Sequence, residues 1–202
     1  MQTDHVLGAV SKALARHKMT DNTLVIFTSD NGGAGYIGIP DVNSPFRGWK
    51  ITMFEGGLRV PAIISWPGKL PEGAVRDQVS HSCDWLPTLT ELAGVKLQRK
   101  DIDGLSLKNV IKNEDALTPH KVLHWQIGRG NNPRWAVREG DWKLLGNPQD
   151  TSNKAPLTTK DKLFLTNLKE NVNEMVNLAE KHPDVTQRLK KLHDEWAAKN
   201  VK

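Results

Sequence analysis

Apolar positions along the chain change period several times, and the changes divide it into elements. Between residues 4 and 17, Val6, Leu7, Val10, Ala13 and Leu14 recur at helical spacing and predict an amphipathic helix. The segment from Met19 to Asn22 breaks it. Leu24 to Phe27 is then a continuous apolar run with β-branched members, the pattern of a strand buried on both faces. A helix feeding such a strand predicts half of a parallel-sheet unit. Residues 31–50 have no period, are rich in glycine and contain Pro40 and Pro45; a loop of that length in a folded domain is usually functional or disordered. LRVPAIISWPG (58–68) predicts a second strand closed by Pro67-Gly68. DWLPTLTELAG (84–94) predicts a helix with Asp84 as its cap and Gly94 past its end. DIDGLSL (101–107) leads to a short helix through Ile111.

Past residue 115 the texture changes. KVLHWQI, RWAVRE, WKLLG and KLFLTNL are short strand-like runs between turn residues, and EGD (139–141) is a hairpin signal. Pro183 opens a helix in which Val185, Leu189, Leu192 and Trp196 form one stripe. A small antiparallel sheet packed by one terminal helix follows. GNPQDTSNKAPLTTKD (146–161) is polar and predicts an exposed loop. The division expected is therefore 1–115 for an α/β part and 116–202 for a sheet-plus-helix subdomain.

Composition narrows the picture only a little. The chain has 202 residues, a net charge of +5 and one cysteine, Cys83, which excludes an internal disulfide and a cysteine metal cluster. Its Lys and Arg residues are scattered, so no nucleic-acid module is expected. No apolar stretch is long enough for a membrane span. The start, MQTDHVLGAVSKALARH, is amphipathic and charged early, unlike a signal peptide.

Two stretches carry candidate chemistry. In TLVIFTSDNGGAG (23–35), Asp30-Asn31 puts a carboxylate beside an amide carbonyl at the end of a strand, where open α/β sheets place ligands. Both are hard oxygen donors suited to Ca²⁺ or Mg²⁺, although Asn-Gly is also the commonest tight-turn dipeptide. SPFRGWKITMFEGGLRVP (44–61) holds Arg47, Lys50, Glu55 and Arg59 in a Gly-bearing loop. Cations there could hold an oxyanion, or Glu55 and Arg59 could form a structural ion pair.

Taken in order, TLVIFTSDNGG, FRGWKITMFEGGLRVPAIISWPG, DWLPTLTELAG, DGLSL and WAVREGDWKL resemble the C-terminal part of the formylglycine-dependent sulfatases, the arylsulfatase-like branch of the alkaline phosphatase superfamily. KLFLTNLKENVNEMVNLAEKHPDV (162–185) is similar to that family's closing pattern, Leu-(Tyr/Phe)-x-Leu followed by Glu-x-x-Asn-Leu-Ala. The resemblance implies an α/β fold: the last strands of an alkaline-phosphatase-like mixed sheet with flanking helices, then a small antiparallel subdomain with one helix. It implies that Asp30 and Asn31 are two ligands of an active-site Ca²⁺. It also implies that Lys50, in the Arg-Gly-x-Lys pattern, binds the sulfate group and stabilises charge as the S–O bond breaks. Arg47, Glu55 and Arg59 are implied supports of that loop. Trp49 departs from the family, which favours small residues there.

The family's nucleophile, a Cys or Ser oxidised to formylglycine in Cys/Ser-x-Pro/Ala-x-Arg, has no counterpart in this sequence. Cys83 has Trp at +2 and Pro at +4, and no arginine follows a Cys or Ser by four positions. His120 and His124 are too far apart along an expected strand to share a metal and read as packing residues. The expected activity is therefore hydrolysis of sulfate esters, a sulfated carbohydrate being one candidate, in an enzyme whose N-terminal part lies upstream or in a partner chain. The chain alone is expected to be inactive, with Ca²⁺ weak or absent. Trp125, Arg129, Asn131 and Asn132 are candidate substrate contacts. The alternative is a non-catalytic remnant with weak anion or glycan binding. Family members are commonly exported, which makes a periplasmic or secreted location the expectation.

Overall fold

The strand-like runs read from the sequence form two separate antiparallel sheets in the computed structural model, which describes residues 2–39, 41–99, 101–130, 132–150 and 156–200. The chain contacts itself as two compact units. One holds Met1–Thr28 and Ala62–His120; the other holds Ser29–Pro61 and Lys121–Lys202. The second unit joins 121–202 to 29–61, a segment that the expected division places in the α/β part. The reason is burial: Arg47, Met53, Phe54 and Glu55 are enclosed by side chains of the C-terminal sheet.

In the first unit, α1 (Gln2–Arg16) carries the expected stripe, yet none of its residues is fully buried. β1 (Val25–Thr28) pairs antiparallel with β2 (Ala62–Ser65), in register Val25↔Ser65 to Thr28↔Ala62. This corrects the expectation of a parallel unit with a fully buried strand: among the described residues β2 is the only partner of β1, and neither strand contains a buried residue. α3 (Trp85–Leu92) ends at Gly94, whose φ of 70° suits glycine. Asp84 does not cap α3 with its side chain. Fully buried, it accepts from the backbone N–H of His81 and Leu105 and lies 2.7 Å from His120 Nε2. Thr88 Oγ1 accepts from Leu107 N–H. Together they fasten DGLSL and α4 (Lys108–Lys112) onto α3.

The second unit follows the expected pattern closely. β3 (Val122–Ile127), β4 (Arg134–Glu139), β5 (Trp142–Gly146) and β6 (Leu163–Asn167) form an antiparallel meander in chain order. Strand alternation gives the sheet two apolar faces. Trp135, Val137, Leu144 and Leu165 face α5 (Pro183–Asn200) and bury Leu189, with Val185 and Leu192 beside it. Ala136, Leu145 and Phe164 face the other way and bury Met53 and Phe54, immediately before α2 (Glu55–Leu58). Among the described residues no helix is long and apolar enough to cross a membrane.

Candidate functional site

The segment from Ser29 to Gly57 is folded by its own polar groups. Gly32 N–H donates to Gly57 O at 3.0 Å, and Lys50 N–H donates to Gly33 O at 3.1 Å. Asn43 ties the loop across its middle. Its Oδ1 accepts from Gly33 N–H at 2.7 Å, and its Nδ2 donates to Gly33 O and Gly48 O. A Cβ on Gly35 would land 0.9 Å from the Trp49 ring, so only glycine fits beneath that indole. The Trp49 departure is thus matched by the third glycine of GGAG, Gly35, and it packs the two candidate stretches against one another.

Lys50 occupies a tight turn. Thr52 N–H donates to Trp49 O at 3.0 Å, and Ile51 at the third position has φ of 81°. This is a type II turn with a β-branched residue where glycine is the usual choice, a strained conformation that the surroundings must enforce. Thr52 Oγ1 helps by donating to Trp49 O and accepting from Trp49 N–H. The Lys50 side chain is half-buried and that of Asp30 is exposed. Asn31 Nδ2 donates to the Asp30 carboxylate. Asp30 and Asn31 fit a hard divalent cation in donor type, but they are two donors where Ca²⁺ takes six or more. Among the described residues no group of three His, Cys, Asp or Glu side chains could complete a metal site.

Both flanks of the turn are anchored by buried charge. Arg47 is fully buried: Nε donates to Asp150 Oδ2 at 2.6 Å, one terminal nitrogen donates to Glu174 O at 2.8 Å, and the guanidinium lies 4.1 Å from the Phe54 ring centroid. Glu55 accepts from Lys143 Nζ at 2.8 Å, with Arg138 at 3.9 Å. Of the two alternatives left open for these charges, a Glu55–Arg59 ion pair does not form: Glu55 pairs with Lys143, and Arg59 lies over the Phe46 ring. Burial alone would raise the Glu55 carboxyl, but Lys143, with Arg138 and Arg59, holds it below the usual carboxylate range. Glu174 is pushed up by burial, against the pull of Lys143 and with Glu55 adding to the rise. Its Oε1 lies 3.1 Å from Lys143 Nζ without hydrogen-bond geometry, while Oε2 accepts from Glu55 N–H.

Of the candidate substrate contacts, Trp125 packs on the Phe54 side of the sheet, and Arg129 and Asn132 are exposed in the β3–β4 connection. Asn131 lies outside the described residues. Sequence reasoning missed Asn43, Lys143, Asp150 and Glu174 as parts of this arrangement. Lys143 had a usable signal: alternation places it on the same face as Leu145, pointing inward.

A family model described as Sulfatase matches residues 1–95. The chain is similar to a sulfatase of Formosa agariphila, 33% identical over 90% of this chain and 34% of the relative. It is 30% identical to human arylsulfatase A over 95% of this chain and 41% of that protein. The chain thus spans roughly a third to two fifths of these relatives' lengths. A solved structure, Ps i-CgsB in complex with k-i-k-neocarrahexaose, superposes with a TM-score of 0.80 at 27% identity, over 96% of this chain and 40% of the other.

Proposed function

Because this chain belongs to the sulfatase family, we propose that it supplies the sulfate-holding lysine and two metal ligands of a sulfuric ester hydrolase. One observation carries the reading: the backbone of Lys50 is hydrogen-bonded to Gly33, two residues after Asn31, so the candidate cation and the candidate metal ligands share one stitched loop. Lys50 neutralises the sulfate oxygens and stabilises negative charge on them as the S–O bond breaks. Asp30 and Asn31 offer hard oxygens to Ca²⁺, which when bound would add positive charge beside the same group. No residue of this sequence is assigned as nucleophile. The relative solved with k-i-k-neocarrahexaose supports a sulfated carbohydrate as the substrate class.

An assay of the 202-residue chain with an aryl sulfate should give no turnover. Clear turnover that is lost in Lys50→Ala would overturn the claim that the nucleophile lies elsewhere. In a full-length gene product with turnover, Lys50→Ala should lower kcat/KM by about a hundredfold or more, the scale of losing one charge-stabilising group. An unchanged value would remove Lys50 from the mechanism. An in-frame Cys/Ser-x-Pro-x-Arg segment upstream would support the enzyme reading. A stop codon directly before Met1, with no companion frame, would support a non-catalytic remnant.

A further inference from the structure

Glu174 lies in the connection between β6 and α5, far in sequence from Lys50, yet it touches both flanks of the Lys50 turn. Its backbone carbonyl accepts from Arg47, three residues before Lys50. Its carboxylate accepts from the backbone N–H of Glu55, five residues after Lys50. It is fully buried, and Lys143 sits between its carboxylate and that of Glu55. We propose that Glu174 is a positioning residue for Lys50, holding residues 47–55 at a fixed span so that the turn presents the lysine to a sulfate group. The proposal rests on the reading of Lys50 given above.

The physical argument is one of enforcement. Ile51 has a φ that β-branched residues avoid, and the three hydrogen bonds between Trp49 and Thr52 are all local to the turn. A local turn can relax if its ends drift apart. Gly56 N–H donates to Arg47 O at 2.8 Å across that span, and Arg47 and Glu55, at the two ends of this closure, both also close on Glu174. Glu174 has φ of 52° itself, so its carbonyl and carboxylate are set by an unusual backbone conformation as well as by packing. Glu55 N–H opens α2, with the Glu174 carboxylate as its acceptor. A carboxylate drawn back from that N–H would leave a buried donor unpaired.

Two variants of the full-length gene product separate reach from charge. Glu174→Asp keeps the charge and suits a positive φ, but it withdraws the carboxylate by one methylene. Glu174→Gln loses the charge but keeps an oxygen at full reach. Amide hydrogen exchange of the 47–57 peptides should accelerate in Glu174→Asp and stay near wild type in Glu174→Gln, with α3 and α4 unchanged in both. Calorimetric affinity for inorganic sulfate should fall about tenfold in Glu174→Asp, as expected from losing one charge-assisted hydrogen bond, and Glu174→Gln should restore most of it. Unchanged exchange of 47–57 in Glu174→Asp would overturn the positioning role. So would a sulfate affinity equal to wild type in that variant. Sulfate binding that survives Lys50→Ala would instead sink the reading of Lys50, while the exchange data still decide whether Glu174 holds the loop.

Discussion

The two sheets of this protein are both built from short apolar runs and end in different states. β2 leaves Ile63 57% exposed, whereas Val137, Leu144 and Leu165 in the four-stranded sheet are fully buried. The difference lies in what covers each strand within its own unit. The four-stranded sheet has α5 on one face and the Met53–Phe54 segment on the other. Among the described residues β1 and β2 have only each other as strand partners, and none of their residues is fully buried. An apolar run predicts that a strand wants a covering layer; it does not supply one. The covered sheet also tolerates what the open one lacks, a set of enclosed charges, because each charge there meets a partner.

The sharpest way to break this contrast is Lys143→Ala. It leaves Glu55 and Glu174 buried without their cation, and the four-stranded unit should lose about 3–5 kcal/mol. Denaturant midpoints read by exchange of β5 and β6 peptides would show it; a wild-type midpoint would mean that the charges are not enclosed as described.

A smaller effect should come from pH. His193 on α5 stacks against Trp135 with ring centroids 4.0 Å apart, and burial lowers its pKa to about 4, with His124 and Lys190 adding to the fall and Asp194 opposing it. The unfolded chain therefore takes up the proton first as pH falls. The stabilising contribution is complete above about pH 6.5 and lost progressively toward pH 4, at most about 3 kcal/mol. Midpoints measured from pH 7 to pH 4 should fall steeply for wild type and more gently for His193→Phe, which keeps a ring and loses the proton site. Parallel curves would count against it. The smallest effect belongs to the open sheet: Ile63→Thr should shift stability by no more than about 0.5 kcal/mol, as at most exposed positions. A loss of several kcal/mol would show that β2 is covered after all.

Much of the second unit was legible in the sequence. Four short apolar runs, EGD at one hairpin and Pro183 before a striped helix became the meander and α5 with few shifts at their ends. The Lys50 loop was recognisable from its motif, but its supports were not. Glu55 and Lys143 lie 88 residues apart, and each looks like an ordinary surface charge when read alone. His193 keeps helical spacing with Leu189 and Trp196 at the edge of the α5 stripe, but a histidine there reads as a polar boundary residue and not as a buried one. The pairing of β1 was misread because a continuous apolar run fits a parallel strand as well as a half-covered antiparallel one.

Lys143 has one practical consequence. Its amine is sealed from solvent, while Lys121 and Lys160 are open to it. Amine-acylating reagents should therefore tag the surface lysines within minutes and reach Lys143 only in molecules that have opened. The extent of label on that single amine would count misfolded copies in any preparation, with no substrate, metal or assay required.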